Sequence, residues 1–278
     1  MTSAFDWKGR VGDVWAEEWP RTDRSFAGLA VQLDAAILAV APVAGKAYDI
    51  GCGAGATSIA LATARPRLAV TGIDLSATLV AIAAERAKRL ANADFRVADA
   101  GDLPPASADL LVSRHGVMFF DDPVAGFSAL RRATRGGGSL VFSCFRPREN
   151  NEWSLVIDAA VENDNFPATG YVHGPYSLAD PGFTADILHR AGWRDARPQA
   201  IDFTYVGGGG DDPVADALSF FSRIGSAARV LAEAPPDRRD RIRARLRAAL
   251  AGHVHDGAVT FAAGAWIWTA TAGGEEPA

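Results

Sequence analysis

The residues best suited to chemistry begin with DIGCGAG at 49–55, in a chain of 278 residues. Gly51, Gly53 and Gly55 follow a short apolar strand and precede an alanine-rich helix. A turn without Cβ atoms bends sharply, lets a ligand approach the backbone and leaves helix-end N–H groups as donors. Asp49 adds a carboxylate, and Cys52 fills a position that needs a small residue. Asp74 ends the next strand, 74 − 55 = 19 residues after the last glycine, and Leu75 follows it. A carboxylate there accepts hydrogen bonds from both hydroxyls of a ribose. Past the third strand, Asp99-Ala100 pairs an acceptor with a backbone N–H, a combination able to read the edge of adenine. Each acid alone also fits an ordinary turn or cap. In this order and register they point to an adenosine-bearing ligand. The spacing is GxGxG, with Ala56 where the third glycine of a dinucleotide fingerprint would stand, so an NAD(P) oxidoreductase is the alternative.

Other side chains are candidates for the acceptor side. His115, just past the fourth strand, reads as a structural or substrate-packing histidine, with a general base as the alternative. Arg114 pairs a substrate carboxylate or faces solvent, the second reading being favoured. His173 and Tyr176, with Tyr171, lie in YVHGPY and serve either a substrate pocket or loop packing. Trp7, Trp15 and Trp19 crowd the N-terminus, with Trp15 and Trp19 spaced to share a helix face. They belong to a terminal helix docked on the body or to a lid over a ligand, and Trp15 joins the cofactor-binding set.

These residues need a scaffold. A helix is expected over Ser25–Leu38, then strands at 46–50, 68–74, 93–99 and 108–113, with a fifth entered through RGGG. Helices lie between them, at 77–90 after the N-cap Ser76 and from Asp122-Pro123 to Ala133. Such alternation indicates a parallel sheet with helices on both faces. Residues 146–178 lose periodicity and read as a loop or short helix crossing the top of the sheet. Helix 179–191, a strand-like stretch broken at Pro198, helix 213–233, helix 237–250 and a strand at 258–272 follow, with GGEEPA a frayed tail. One domain over 1–278 is expected: cap helices at 1–40, a ligand-binding core at 41–145, and cover segments with the last strands at 146–278.

Composition narrows the function. With 49% hydrophobic residues the chain can outweigh its ordering entropy, so disorder is excluded. A net charge of −5 disfavours a dedicated nucleic-acid binder. Two isolated cysteines argue against a disulfide scaffold or zinc site, and His253 and His255 lack further ligands, so no metal site is expected. There is no secretory signal and no run of roughly 20 apolar residues for a membrane span, so a cytoplasmic protein acting away from membranes is expected.

Residues 40–145 resemble the class I S-adenosylmethionine-dependent methyltransferases. The resemblance rests on the glycine turn, Asp74 and Asp99, and SRHGVMFFDDPVAGFSALRRATRGGGSL is similar to a bacterial small-molecule branch. It implies a Rossmann-like, seven-stranded, mostly parallel sheet with the last strand antiparallel beside the fifth. It implies S-adenosylmethionine as cofactor and S-adenosylhomocysteine as product, lying over the strand ends. Gly51 and Gly53 would approach its methionine part, Asp74 hold the ribose, Asp99 and Ala100 read the adenine, and Ser113 lie near the sulfonium. The implied function is methyl transfer to oxygen, carbon or nitrogen of a small organic acceptor. A non-catalytic S-adenosylmethionine-binding module is the second alternative, and the oligomeric state is open, with a homodimer one option.

Overall fold

The structure, a computed structural model, describes residues 7–163 and 171–273. Helices α1 (Arg10–Glu17), α2 (Trp19–Ser25) and α3 (Ala27–Val40) come first, followed by β1 (Ala44–Ile50) and α4 (Ala56–Ala64). Then run β2 (Arg67–Asp74), α5 (Ala77–Ala87), β3 (Ala93–Val97), β4 (Ala108–Arg114), α6 (Pro123–Ala133) and β5 (Thr134–Phe145). The remainder is α7 (Glu152–Val161), α8 (Pro181–Arg190), β6 (Trp193–Gly208), α9 (Pro213–Phe221), α10 (Gly225–Glu233), α11 (Pro236–Ala251), β7 (Val254–His255) and β8 (Ala258–Ala272).

All the strands join one sheet, in the order β3-β2-β1-β4-β5-β8-β6, with β7 paired to β8. Pairs β1–β2, β1–β4, β2–β3 and β4–β5 are parallel, while β8 runs antiparallel to both β5 and β6. The central strand β4 reads as a continuous apolar run because it is covered on both faces: Leu110, Leu111 and Val112 are wholly buried. Across the antiparallel pair β5–β8, Phe142 faces Trp268 with nearly parallel rings 6.2 Å apart. The arginine-rich α11 hides Ile242, Leu246 and Leu250, four residues apart, along one buried stripe.

Several expectations change. Among the described residues the sheet's main path has the seven strands expected, with β8 antiparallel beside β5, and the two-residue β7 adds an eighth where it folds back on β8 after the turn at Asp256-Gly257. Pro198 does not break β6: it pairs in register with Trp268, on an edge strand whose outer side asks for no N–H donor. The irregularity lies earlier, between Arg194 and Arg197, where Asp195 has φ +53°. Helix 213–233 is two helices, since the extended backbone of Ile224, at φ −125° and ψ 159°, interrupts it, and Gly225 re-enters at φ +69°. Trp15 and Trp19 fall on separate helices, divided at Glu18. The crossing segment contains α7, residues 164–170 lie outside the described residues, and so does GGEEPA beyond Gly273.

Candidate functional site

The C-terminal ends of the parallel strands open into a cavity of about 610 Å³. Its first half lies over β1, β2 and β3. Gly51 and Gly53 adopt φ +63° and +52°, the left-handed region that favours glycine. A Cβ on Gly51 would stand 2.9 Å from the Gly116 Cα, so the turn is pressed against the loop after β4. A Cβ on Gly53 would meet nothing within 4 Å, because that residue faces the cavity.

Asp74 braces this turn. One carboxylate oxygen accepts from the Gly53 N–H at 2.9 Å and the other from the Ser76 N–H at 2.9 Å. Burial raises its pKa and these donors oppose the rise. Asp49 lies deeper, 1% exposed, with Oδ2 accepting from Ser58 Oγ at 2.6 Å. Its Oδ1 is buried without a partner, and burial above all lifts its pKa to about 7. Asp99 accepts from the Gly101 N–H at 2.8 Å at the far end of this half. Cys52, Leu75 and Ala100 also line the cavity, as do Trp7, Trp15 and Trp19 from above.

The second half lies over β4, β5 and β6. His115 takes φ +64°, uncommon for a residue with a side chain, and turns its ring back under the cavity. Its Nδ1 sits 2.7 Å from Ser143 Oγ, its Nε2 is buried without a partner, and burial pushes its pKa down to about 3, with Arg114 adding to the effect. The ring is therefore neutral at physiological pH. Phe26, Phe145, Trp153, Tyr205 and Phe221 complete the wall.

Three expected residues are placed elsewhere. Ser113 does not line the cavity: its hydroxyl donates to the Ile50 carbonyl at 2.7 Å and accepts from the Gly116 N–H at 3.2 Å, so it fastens β4 to β1. Neither His173 nor Tyr176 lines it; His173 Nδ1 lies 3.4 Å from Asp121, and Tyr176 packs behind Phe145 at 5.8 Å. Arg114 lines the cavity without facing solvent, because Asp23 of α2 holds it at 2.7 Å. Asp23 also pairs with Arg86 at 2.8 Å, and Arg86 donates to the Ala54 carbonyl and lies over the Trp19 ring. Asp23 and the ring wall were not singled out from the sequence, where no local spacing links them. Among the described residues no group of three or more His, Cys, Asp or Glu could hold a metal ion, and no helix is long and apolar enough to cross a membrane.

Residues 48–142 match a family model described as a methyltransferase domain. The chain is 33% identical over 108 residues to a malonyl-[acyl-carrier protein] O-methyltransferase of Paenibacillus sp., covering 37% of this chain and 39% of that protein. It is 29% identical over 163 residues to a trans-aconitate 2-methyltransferase of Deinococcus radiodurans, covering 57% and 59%. It thus spans less than two thirds of the curated relatives it matches. Among solved structures it resembles Haemonchus contortus phosphoethanolamine N-methyltransferase 2 in complex with S-adenosyl-L-methionine, with TM-score 0.58, 18% identity and coverage of 98% and 60%. It also resembles the [4+2]-cyclase SpnF, with TM-score 0.56, 19% identity and coverage of 98% and 97%. At these identities the structural likeness is one of fold. Residues 48–142, about a third of the chain, are thus matched to a methyltransferase domain, and the likeness beyond them is one of fold.

Proposed function

We propose that the protein transfers the methyl group of S-adenosylmethionine to a small organic acceptor, as a single functional unit in which the strand ends bind cofactor and the later segments bind acceptor. The observation that carries this reading is the Asp49 carboxylate. It leaves Oδ1 unpartnered beside a glycine turn open to the cavity, and a buried orphan acceptor there suits the ammonium of a methionine moiety. Asp74, already oriented by two backbone donors, keeps lone pairs for ribose hydroxyls, and Asp99 with Ala100 faces the adenine. The relatives that this chain resembles, called methyltransferases of malonyl-[acyl-carrier protein] and trans-aconitate, support the transfer of a methyl group and leave the acceptor to be argued from the cavity.

When bound, the cofactor supplies a methyl carbon already activated by a positive sulfur. The protein's task is then alignment and exclusion of water. The three tryptophans and α1–α2 cover the cavity, and the rings of Phe26 and Phe145 hold His115 between them. A neutral His115 is a weak proton acceptor, so we assign it first to packing and positioning the acceptor, and a base role is confined to acceptors that need little help to lose a proton. Calorimetry with S-adenosylhomocysteine and NAD, followed by transfer of an isotope-labelled methyl group to an acceptor library, tests the proposal. Binding of S-adenosylhomocysteine with labelled product supports it. Binding of NAD in its place, or tight cofactor binding with no transfer to any acceptor, refutes it.

A further inference from the structure

The acceptor half of the cavity is built from rings that support one another. His115 stands 4.9 Å from Phe26 and 4.3 Å from Phe145, centroid to centroid. Phe145 meets Trp153 at 5.5 Å, and Trp153 stacks on Tyr205 at 5.2 Å with planes 17° apart. Phe221 continues the series 6.4 Å from Tyr205. These rings come from the residue after β4, from β5, α7, β6 and α9, and from the α2–α3 junction, so they surround the space from several sides. Rigid rings offer apolar area with little side-chain entropy left to lose.

Charge points the same way. Arg114 is the cation at this end, and it is already paired with Asp23. Arg132, the other lining arginine, belongs to α6, which packs on residues 100–102 at the opposite, adenine-facing end. His115 carries no charge. An anionic acceptor brought against this wall would give up hydration without gaining a free cation. Two polar atoms of the wall, His115 Nε2 and Trp153 Nε1, have no protein partner, which suits a skeleton carrying one or two hydroxyl or carbonyl groups.

We infer that the acceptor is a neutral molecule with an extended, largely aromatic skeleton, and that the ring wall together with the Asp23-neutralised Arg114 disfavours carboxylic acids and phosphate esters. The inference rests on the methyl-transfer reading above. The test titrates the full chain, saturated with S-adenosylhomocysteine, with a naphthol, the corresponding naphthoate and trans-aconitate. Naphthol should bind at least about tenfold more tightly than naphthoate, with trans-aconitate weakest. Trp153→Leu should weaken naphthol about tenfold and leave S-adenosylhomocysteine affinity unchanged, which also reports that the variant is folded. Asp23→Asn, which frees Arg114, should tighten naphthoate about tenfold and so narrow the naphthol-to-naphthoate ratio, a gain in affinity that misfolding cannot imitate. Naphthoate or trans-aconitate binding as tightly as naphthol overturns the inference. So does an unchanged ratio in Asp23→Asn, or a chain that binds S-adenosylhomocysteine and not naphthol. Naphthol binding without S-adenosylhomocysteine binding overturns the transfer reading instead and leaves the ring wall as a binding site.

Discussion

The two halves of the cavity achieve recognition by opposite means. Over β1–β3 the wall is backbone and carboxylate: two left-handed glycines, Asp74 held by two N–H groups, and Asp49 with an empty oxygen. Over β4–β6 it is ring against ring, and its one arginine is spent on Asp23. Desolvation acts on both and leaves opposite marks. It lifts the Asp49 pKa to about 7 and drops that of His115 to about 3, so each buried group tends toward its neutral form. One half is tuned to a fixed, polar, cationic ligand; the other selects by shape and apolarity.

The largest expected effect uses that mirror symmetry. Asp49 has a raised folded pKa, so the stability it contributes is present below its unfolded pKa of 3.8 and is lost as pH rises through about 7. Replacing it by Asn should remove a loss on the order of 4 kcal/mol between those limits. His115 has a depressed folded pKa, so its contribution is present above 6.5 and is lost as pH falls towards about 3. His115→Gln should flatten the acid limb alone. Urea denaturation at a series of pH values checks both, and identical pH profiles for the two variants would erase the contrast.

The glycine turn comes next. Gly51→Ala forces a Cβ against the Gly116 backbone and should cost about a hundredfold in S-adenosylhomocysteine affinity together with a lower Tm. Gly53→Ala has open space around it, so its added methyl enters the ligand's volume. About tenfold in affinity should be lost with Tm changed far less. Equal Tm losses in the two would show that both glycines serve the turn alone. Asp74→Ala should weaken the cofactor about tenfold to a hundredfold and leave naphthol binding intact, since it touches only one half. Loss of both ligands would join the halves. The smallest effect is on stability in Asp23→Asn: its pairs are partly exposed, and about 1 kcal/mol or less by thermal melting is expected.

How much of this was legible in the sequence follows the same division. The cofactor half is local: Asp49, Gly51 and Gly53 sit within a few residues, and Asp74 and Asp99 mark the ends of the next two strands. The strand-helix alternation around them was equally readable, because each element carries its own periodicity. The ring wall has no such signature, since Phe26, Phe145, Trp153, Tyr205 and Phe221 meet only when distant elements pack. Ser113 misled for a related reason. Its place at the end of an apolar strand suits a ligand contact, but its buried hydroxyl turns inward to the Ile50 carbonyl. Pro198 misled because a proline's effect depends on whether its strand lies at an edge, which is set by topology.

Asp23 reaches both halves at once. One of its oxygens holds Arg114 beside the ring wall, and the other holds Arg86, which grips the Ala54 carbonyl of the glycine turn. A displacement of α2 therefore bears on both ion pairs at once. The covers of the two compartments are thereby tied at a single carboxylate. Because both ion pairs are partly exposed, dissolved salt screens them together, so rising ionic strength should loosen the hold of α2 on both compartments in parallel.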